Sequence, residues 1–216
     1  MRIAEYHALR EDLLEEILSA VGVEDPADWC ARSFSQSELF AAEVIPIIHR
    51  LYDAEPVNVE KSFLDIGPQN FAGTRLIQSI HQPSSNTKLK LKMSALDVHA
   101  RFRPLQQLLV PDCEFIVADL FTIEGRTWDM ILASHVIEHV PDPQRFVRKM
   151  QELARDYVIV AAPWNEDPIV TKSHINTINK DFTRSVGARD LHIFTNYAWG
   201  KNREVCTFWL PGLAKR

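Results

Sequence analysis

Between Ser62 and Ala162 the chain repeats one pattern: a short apolar run, a polar or helical stretch, then another apolar run. The runs are Ser62–Ile66, Leu89–Val98, Cys113–Ala118, Asp129–Ala133 and Tyr157–Ala162, with helical periodicity over Phe71–Ile80 and Pro143–Ala154. Runs that are apolar almost throughout suit strands buried on both faces, and strands that alternate with helices are joined by crossovers. The pattern therefore predicts an α/β domain with a parallel sheet covered on both sides. After Pro163 it loosens. Asn176–Val186 reads as a helix, and Leu191–Tyr197 with Glu204–Leu210 as a closing antiparallel hairpin.

Ahead of the sheet lie two helical stretches. Ile3, Tyr6, Leu9, Leu13, Ile17 and Val21 recur at helical spacing over residues 2–22, and Asp25-Pro26 breaks the pattern. A second helix is expected from Ser35 to Tyr52, capped by Ser35 or Ser37 and apolar through Leu39, Val44, Ile47 and Ile48. Residues 1–58 are thus expected to form an N-terminal helical cap, docked by Tyr6, Phe34 and Phe40, and residues 59–216 the main domain.

The runs close on polar residues. Asp65 precedes Gly67, Asp97 ends the second run and Asp119 the third. Open α/β sheets bind ligands beyond the carboxyl ends of their strands, where an acid can take both hydroxyls of a ribose. Each acid alone also fits a helix cap. Their order at three successive strand ends is the informative feature.

The fourth run exits into Ala133-Ser-His-Val-Ile-Glu-His-Val-Pro-Asp-Pro143. This stretch resembles the fourth motif of class I S-adenosylmethionine-dependent methyltransferases, in its small "EHVPDP" form. The likeness covers about residues 60–165. It implies a Rossmann-like, seven-stranded, mostly parallel sheet with a final antiparallel strand, helices on both faces and an N-terminal helical extension. It implies S-adenosylmethionine as cofactor, with Asp65 near its ammonium group, Asp97 on the ribose, Val98 against the adenine, and Asp119 with Leu120 at the adenine edge. Ser134 would close the site. The family's glycine loop reads Asp-x-Gly-x-Gly-x-Gly. Here only Gly67 and Gly73 remain, with extra residues between them, so Gln69, Asn70 and Phe71 are further candidates for cofactor contact.

Methyl transfer from a sulfonium needs the acceptor aligned and, for a hydroxyl, deprotonated. His135, Glu138, His139 and the downstream His174 are the candidate catalytic groups. In ubiquinone-pathway and small-RNA methyltransferases a Glu-x-x-Glu-His pattern here holds a divalent metal. This chain has His135 in place of the first carboxylate. Two roles stand open for the four residues, ligands of a divalent metal or a metal-free general base, beside a purely structural bracing of the loop. Three imidazoles and a carboxylate would suit Zn, Mn or Fe better than Mg. Trp164 and Asn165, after the fifth run, are candidates to line the acceptor pocket, or to fill the core beneath it.

Charge and cysteine content narrow the partners. The net charge is -5, and the one dense basic cluster, Lys88-Leu-Lys-Leu-Lys92, reads as the solvated face of an edge strand. Nucleic acid is not expected as partner. No run of about 18 apolar residues offers a membrane span. Cys30, Cys113 and Cys206 are widely spaced, as for free thiols in a reducing cytoplasm. The expected activity is O-methylation of a small hydroxylated metabolite or sugar. N-methylation of a small amine and a non-catalytic partner role remain as alternatives, and a homodimer is compatible with the helical extension. An NAD-linked enzyme is disfavoured, because Gly67-Pro-Gln-Asn-Phe-Ala-Gly73 lacks the Gly-x-Gly-x-x-Gly loop.

Overall fold

The computed structural model describes residues 16–19, 22, 26–167, 173–196 and 203–215. The helix expected over 2–22 lies largely outside them, as do Tyr6 and Trp199.

Seven strands form one sheet in the order β3-β2-β1-β4-β5-β7-β6. They are β1 (Val59–Ile66), β2 (Leu89–Asp97), β3 (Glu114–Val117), β4 (Trp128–Ser134), β5 (Ala154–Pro163), β6 (Arg189–Asn196) and β7 (Arg203–Pro211). Strands β1 to β5 pair in parallel, and β7 runs antiparallel to both β5 and β6. The order reverses between β1 and β4, which opens a crevice at their carboxyl ends.

Each face of the sheet carries its own core. Helices α1 (Pro26–Leu51), α2 (Ala72–His81) and α3 (Arg103–Leu109) cover one face, through Val44, Ile48, Ile77 and Leu105 against Phe63, Met93 and Leu132. Helices α4 (Pro143–Leu153) and α5 (Lys180–Ser185) cover the other. In α4, Phe146, Val147, Met150 and Leu153 are buried at helical spacing. Pro143 opens that helix, and the Asp142 carboxylate accepts from the Arg145 N–H at 2.9 Å.

Several elements differ from the expectation. Pro26 opens a helix rather than only ending one, and α1 is a single 26-residue helix. Helix α3 carries too few turns to give a periodic signal. The stretch from Asn176 to Asn179 is irregular, and α5 begins after Asn179, whose side chain accepts from the N–H groups of Asp181 and Phe182. The lysine-rich run lies ahead of the part of β2 that pairs with β3, which begins at Ser94, but it is not a uniformly solvated face. Strand β2 lies between β1 and β3, and Lys90 is buried with its ammonium donating to the carbonyls of Ser85 and Thr87. The Ser85 hydroxyl is a third acceptor at 3.2 Å, so polar groups rather than solvent satisfy the charge.

Candidate active site

The strand ends at the reversal of order enclose a cleft of about 430 Å³. Gly67 from β1, Asp97, Val98 and His99 from β2, Asp119 and Leu120 from β3, and His135 and Val136 from β4 line it. Two of the three acids singled out in sequence, Asp97 and Asp119, line this cleft, and Asp65 lies one layer deeper in a separate recess. Val98 keeps 60% of its surface exposed, an apolar wall open to a flat ligand. His99 also faces the cleft. Its backbone N–H donates to Asp97 Oδ1 at 2.8 Å, so the turn after β2 fixes that carboxylate. Burial raises the Asp97 carboxyl above its usual range. Asp119 lines the cleft and caps the turn 120–122, accepting from the Phe121 N–H at 2.8 Å. Lining the cleft and capping the turn are compatible in one side chain.

Below Gly67 a recess of about 50 Å³ continues inward between Asp65, Thr74, Ser134 and Phe40. Asp65 is buried and accepts from the Thr74 hydroxyl at 2.5 Å. Burial pushes its carboxyl up to about 7 despite that bond. The Ser134 hydroxyl also opens onto the recess and has no hydrogen-bond partner among the described residues. Gly67 is required here. Its φ is +70°, and a Cβ would stand 2.7 Å from Val136 Cγ2.

The loop after Gly67 corrects part of the expectation. Gln69 lines the cleft in the left-handed region, φ +47°. Asn70 does not reach a ligand. It is fully buried, donating to the Ser33 carbonyl and the Ser37 hydroxyl and accepting from the Ala72 N–H. Phe71, at φ +60°, is fully buried against Phe115. Gly73 lets α1 pass close to α2, since a Cβ would stand 2.9 Å from the Ser37 carbonyl oxygen. The extra loop residues therefore anchor α1 to the glycine loop. An Asn hydrogen-bonded to a helix and a Phe in the core offset the unfavourable left-handed backbone.

The rim gathers three of the four ionisable groups expected there. Ligand atoms of Glu138, His139 and His174 lie within 4.8 Å of one another. His174 is brought across by backbone stitching, as the N–H groups of Ile175 and Asn176 donate to the Glu138 carbonyl. Asn176 Nδ2 adds bonds to the carbonyls of Ile137 and Val140. Glu138 is 1% exposed, and neither carboxylate oxygen has a hydrogen-bond donor among the described residues. His139 Nε2 is 3.9 Å from it and His135 Nδ1 3.6 Å. His139 Nδ1 meets the Ser173 carbonyl at 2.8 Å and His174 Nδ1 meets Glu166 Oε2 at 2.6 Å. Carbonyl and carboxylate only accept, so each Nδ1 donates and each neutral ring keeps its Nε2 lone pair. A buried carboxylate beside two such lone pairs is an acceptor-only cluster, and it fits a cation.

His135 stands outside that cluster. Its backbone is left-handed, φ +56°, and its ring stacks on Phe40 at 3.6 Å between centroids. It forms part of the wall between cleft and α1. Trp164 and Asn165 do not line this cleft. Trp164 is half-buried against the second core and bridges to Ile178, and Asn165 is exposed, with its N–H donating to the Ile178 carbonyl. Glu166, Arg203 and Asn176 escaped sequence reasoning. Their partners are distant in sequence and no periodicity marks them.

Residues 64–160 match the family model described as a methyltransferase domain. No curated protein sequence matches the chain. Among solved structures, the N-methyltransferase NodS of Bradyrhizobium japonicum WM9 with S-adenosylhomocysteine is similar, with a TM-score of 0.60 at 10% identity, over 91% of this chain and 97% of that one. A S-adenosylmethionine-dependent methyltransferase of Methanosarcina mazei gives 0.61 at 12% identity, over 79% and 98%. Magnesium protoporphyrin IX methyltransferase of Synechocystis PCC 6803 with bound S-adenosylmethionine gives 0.57 at 11%, over 94% and 90%. At such identities these likenesses speak for the fold.

Proposed function

We propose that the chain, which matches a methyltransferase domain over residues 64–160, is a class I S-adenosylmethionine-dependent methyltransferase that methylates an oxygen of a small hydroxylated acceptor. One observation carries this reading. His139 lines the cofactor cleft and also belongs to the cluster with Glu138 and His174. Groups that can take or displace a hydroxyl proton therefore adjoin the place from which the methyl departs. An amine acceptor would need orientation more than such a rim.

In this reading the cleft holds the adenosyl part, with Asp97 accepting from the ribose hydroxyls and Val98 and Leu120 against the adenine. Asp119 faces the adenine amino group. Asp65 and Ser134, in the recess, meet the ammonium end of the methionyl part. Gly67 brings backbone close to it. The rim then orients the acceptor oxygen in line with the methyl and sulfur. Glu138, His139 and His174 would hold a divalent metal, which when bound lowers the pKa of a coordinated hydroxyl. His135, stacked on Phe40 of α1, walls the reacting centre on that side. Phe40, nine-tenths buried, closes this side against water. The buried thiols of Cys113 and Cys206 suit action in the cytoplasm.

The test is direct. Calorimetry with S-adenosylhomocysteine establishes the cofactor site. Incubation with labelled S-adenosylmethionine and paired acceptors, alcohols and sugars against their amine analogues, then reads the transferred methyl by mass spectrometry. Methylation confined to amines overturns the oxygen assignment.

A further inference from the structure

The rim has an outer layer that the proposed chemistry does not by itself require. His174 is 8% exposed, and its Nδ1 proton is given to Glu166 Oε2 at 2.6 Å. The other oxygen of that carboxylate, Oε1, accepts from Arg203 Nη1 at 2.7 Å. The Thr177 hydroxyl donates to the Glu166 backbone carbonyl at 3.0 Å. Glu166 follows β5, His174 belongs to the irregular segment, and Arg203 opens β7. Three elements thus converge to hold one imidazole in one orientation and one tautomer.

We propose that Glu166, clamped by Arg203, is a positioning residue that commits His174 to donate its Nε2 lone pair, completing a two-imidazole, one-carboxylate site for a borderline divalent transition metal of the Zn, Co or Mn kind. The inference rests on the reading of this rim as the acceptor-activating part of the methyltransferase. Three features support it. Metal-bound histidines characteristically give their second N–H to a carboxylate or a carbonyl, and both His174 and His139 do so, through Glu166 and the Ser173 carbonyl. Glu138 is a buried carboxylate with no donor among the described residues, and a bound cation would offset that desolvation. The donor set is nitrogen-rich, which favours borderline metals over Mg or Ca. His135 is not a member. Its Nδ1 lies 3.6 Å from Glu138 Oε1, but it falls outside the group whose ligand atoms all lie within 4.8 Å of one another, so the site has three protein ligands and open positions for acceptor or water.

The test uses the full chain, stripped by chelator and titrated with Co²⁺, whose visible absorption reports nitrogen ligation. One equivalent is expected to bind and to be displaced by Zn²⁺ but not by equimolar Mg²⁺. H174A, H139A and E138Q are expected to abolish the Co²⁺ spectrum, and H135A to leave affinity unchanged. E166Q is expected to weaken Co²⁺ by roughly 10- to 100-fold. It also removes the fixed tautomer, read for His174 in long-range ¹H–¹⁵N spectra of the metal-free protein. A merely structural Glu166 would move neither readout. Absence of Co²⁺ binding, or wild-type affinity in E166Q, overturns the proposal. If E166Q fails to fold, the wild-type spectrum decides, since a His174 protonated at Nε2 contradicts it. Calorimetry with S-adenosylhomocysteine on the same samples separates the two readings. Cofactor binding without Co²⁺ binding sinks the metal site alone, and the converse sinks the methyltransferase reading alone.

Discussion

Replacing Asp65 by Asn isolates the cost of holding an acid at the base of the cofactor recess. Asp65 is buried, and its carboxyl is raised from 3.8 to about 7 by desolvation, with the Thr74 hydroxyl only partly offsetting it. Between those two values the folded protein keeps a proton that the unfolded chain has lost. Stability must therefore fall as pH rises from about 4 to about 7, and change no further from this cause above that. Each pH unit in the window is worth about 1.4 kcal/mol, so the ionised side chain costs the fold about 4 kcal/mol near pH 8. Asn keeps an oxygen for Thr74 and cannot ionise. Urea denaturation of both proteins from pH 4 to pH 8 should give nearly equal stabilities at the acid end and an increasingly more stable variant toward pH 8. Glu43, also raised to about 7 by burial, titrates in both proteins and cancels in the difference. The cofactor should reverse the balance. An ammonium placed against Asp65 favours the carboxylate, so S-adenosylhomocysteine should bind the wild type more tightly as pH rises toward 7, with proton release seen by calorimetry in buffers of different ionisation enthalpy. The variant should show neither effect. A difference in stability that does not vary with pH would refute the reasoning.

Gly67→Ala puts a Cβ against Val136 at a left-handed position. It should cost about 1–2 kcal/mol from backbone strain alone, more from the clash, and lower cofactor affinity in calorimetry. Asp97→Ala should weaken S-adenosylhomocysteine by about 1–3 kcal/mol through lost ribose hydrogen bonds, and unchanged affinity would sink that assignment. Asn70→Ala removes three bonds, two of which tie α1 to the glycine loop. It should lower the melting temperature while leaving no direct cofactor contact missing, so a loss of affinity without loss of stability would restore Asn70 to the binding site.

The strands and the residues at their ends were legible because their signals are local. Each strand is an apolar run, each acid sits at its end, and a parallel sheet converts sequence order into spatial order at the reversal between β1 and β4. The glycine loop was less legible. Its altered spacing shows where the loop departs from the family but not which way its side chains turn. Phe71 and Asn70 turn inward because α1 lies behind them, and nothing near residue 70 in sequence announces residues 33 and 37. Lys90 misled for a related reason. Alternating lysines describe an exposed strand face only where no turn folds its carbonyls over the ammonium, and here Ser85 and Thr87 do.

The rim shows how far residue type carries and where geometry takes over. His135, Glu138 and His139 are neighbours in sequence, yet a left-handed residue at the strand exit turns His135 toward Phe40 and leaves Glu138 and His139 on the following turn. Their third partner arrives from residue 174 because the Glu138 carbonyl and Asn176 bind that segment to the turn. The grouping is thus made by backbone hydrogen bonds, which the side-chain identities of a motif do not encode. Glu166 and Arg203 extend the same logic outward. A carboxylate that fixes one imidazole, and a guanidinium that fixes the carboxylate, are ordinary charged residues in a linear reading. Only the fold makes them determine which nitrogen of His174 carries the proton.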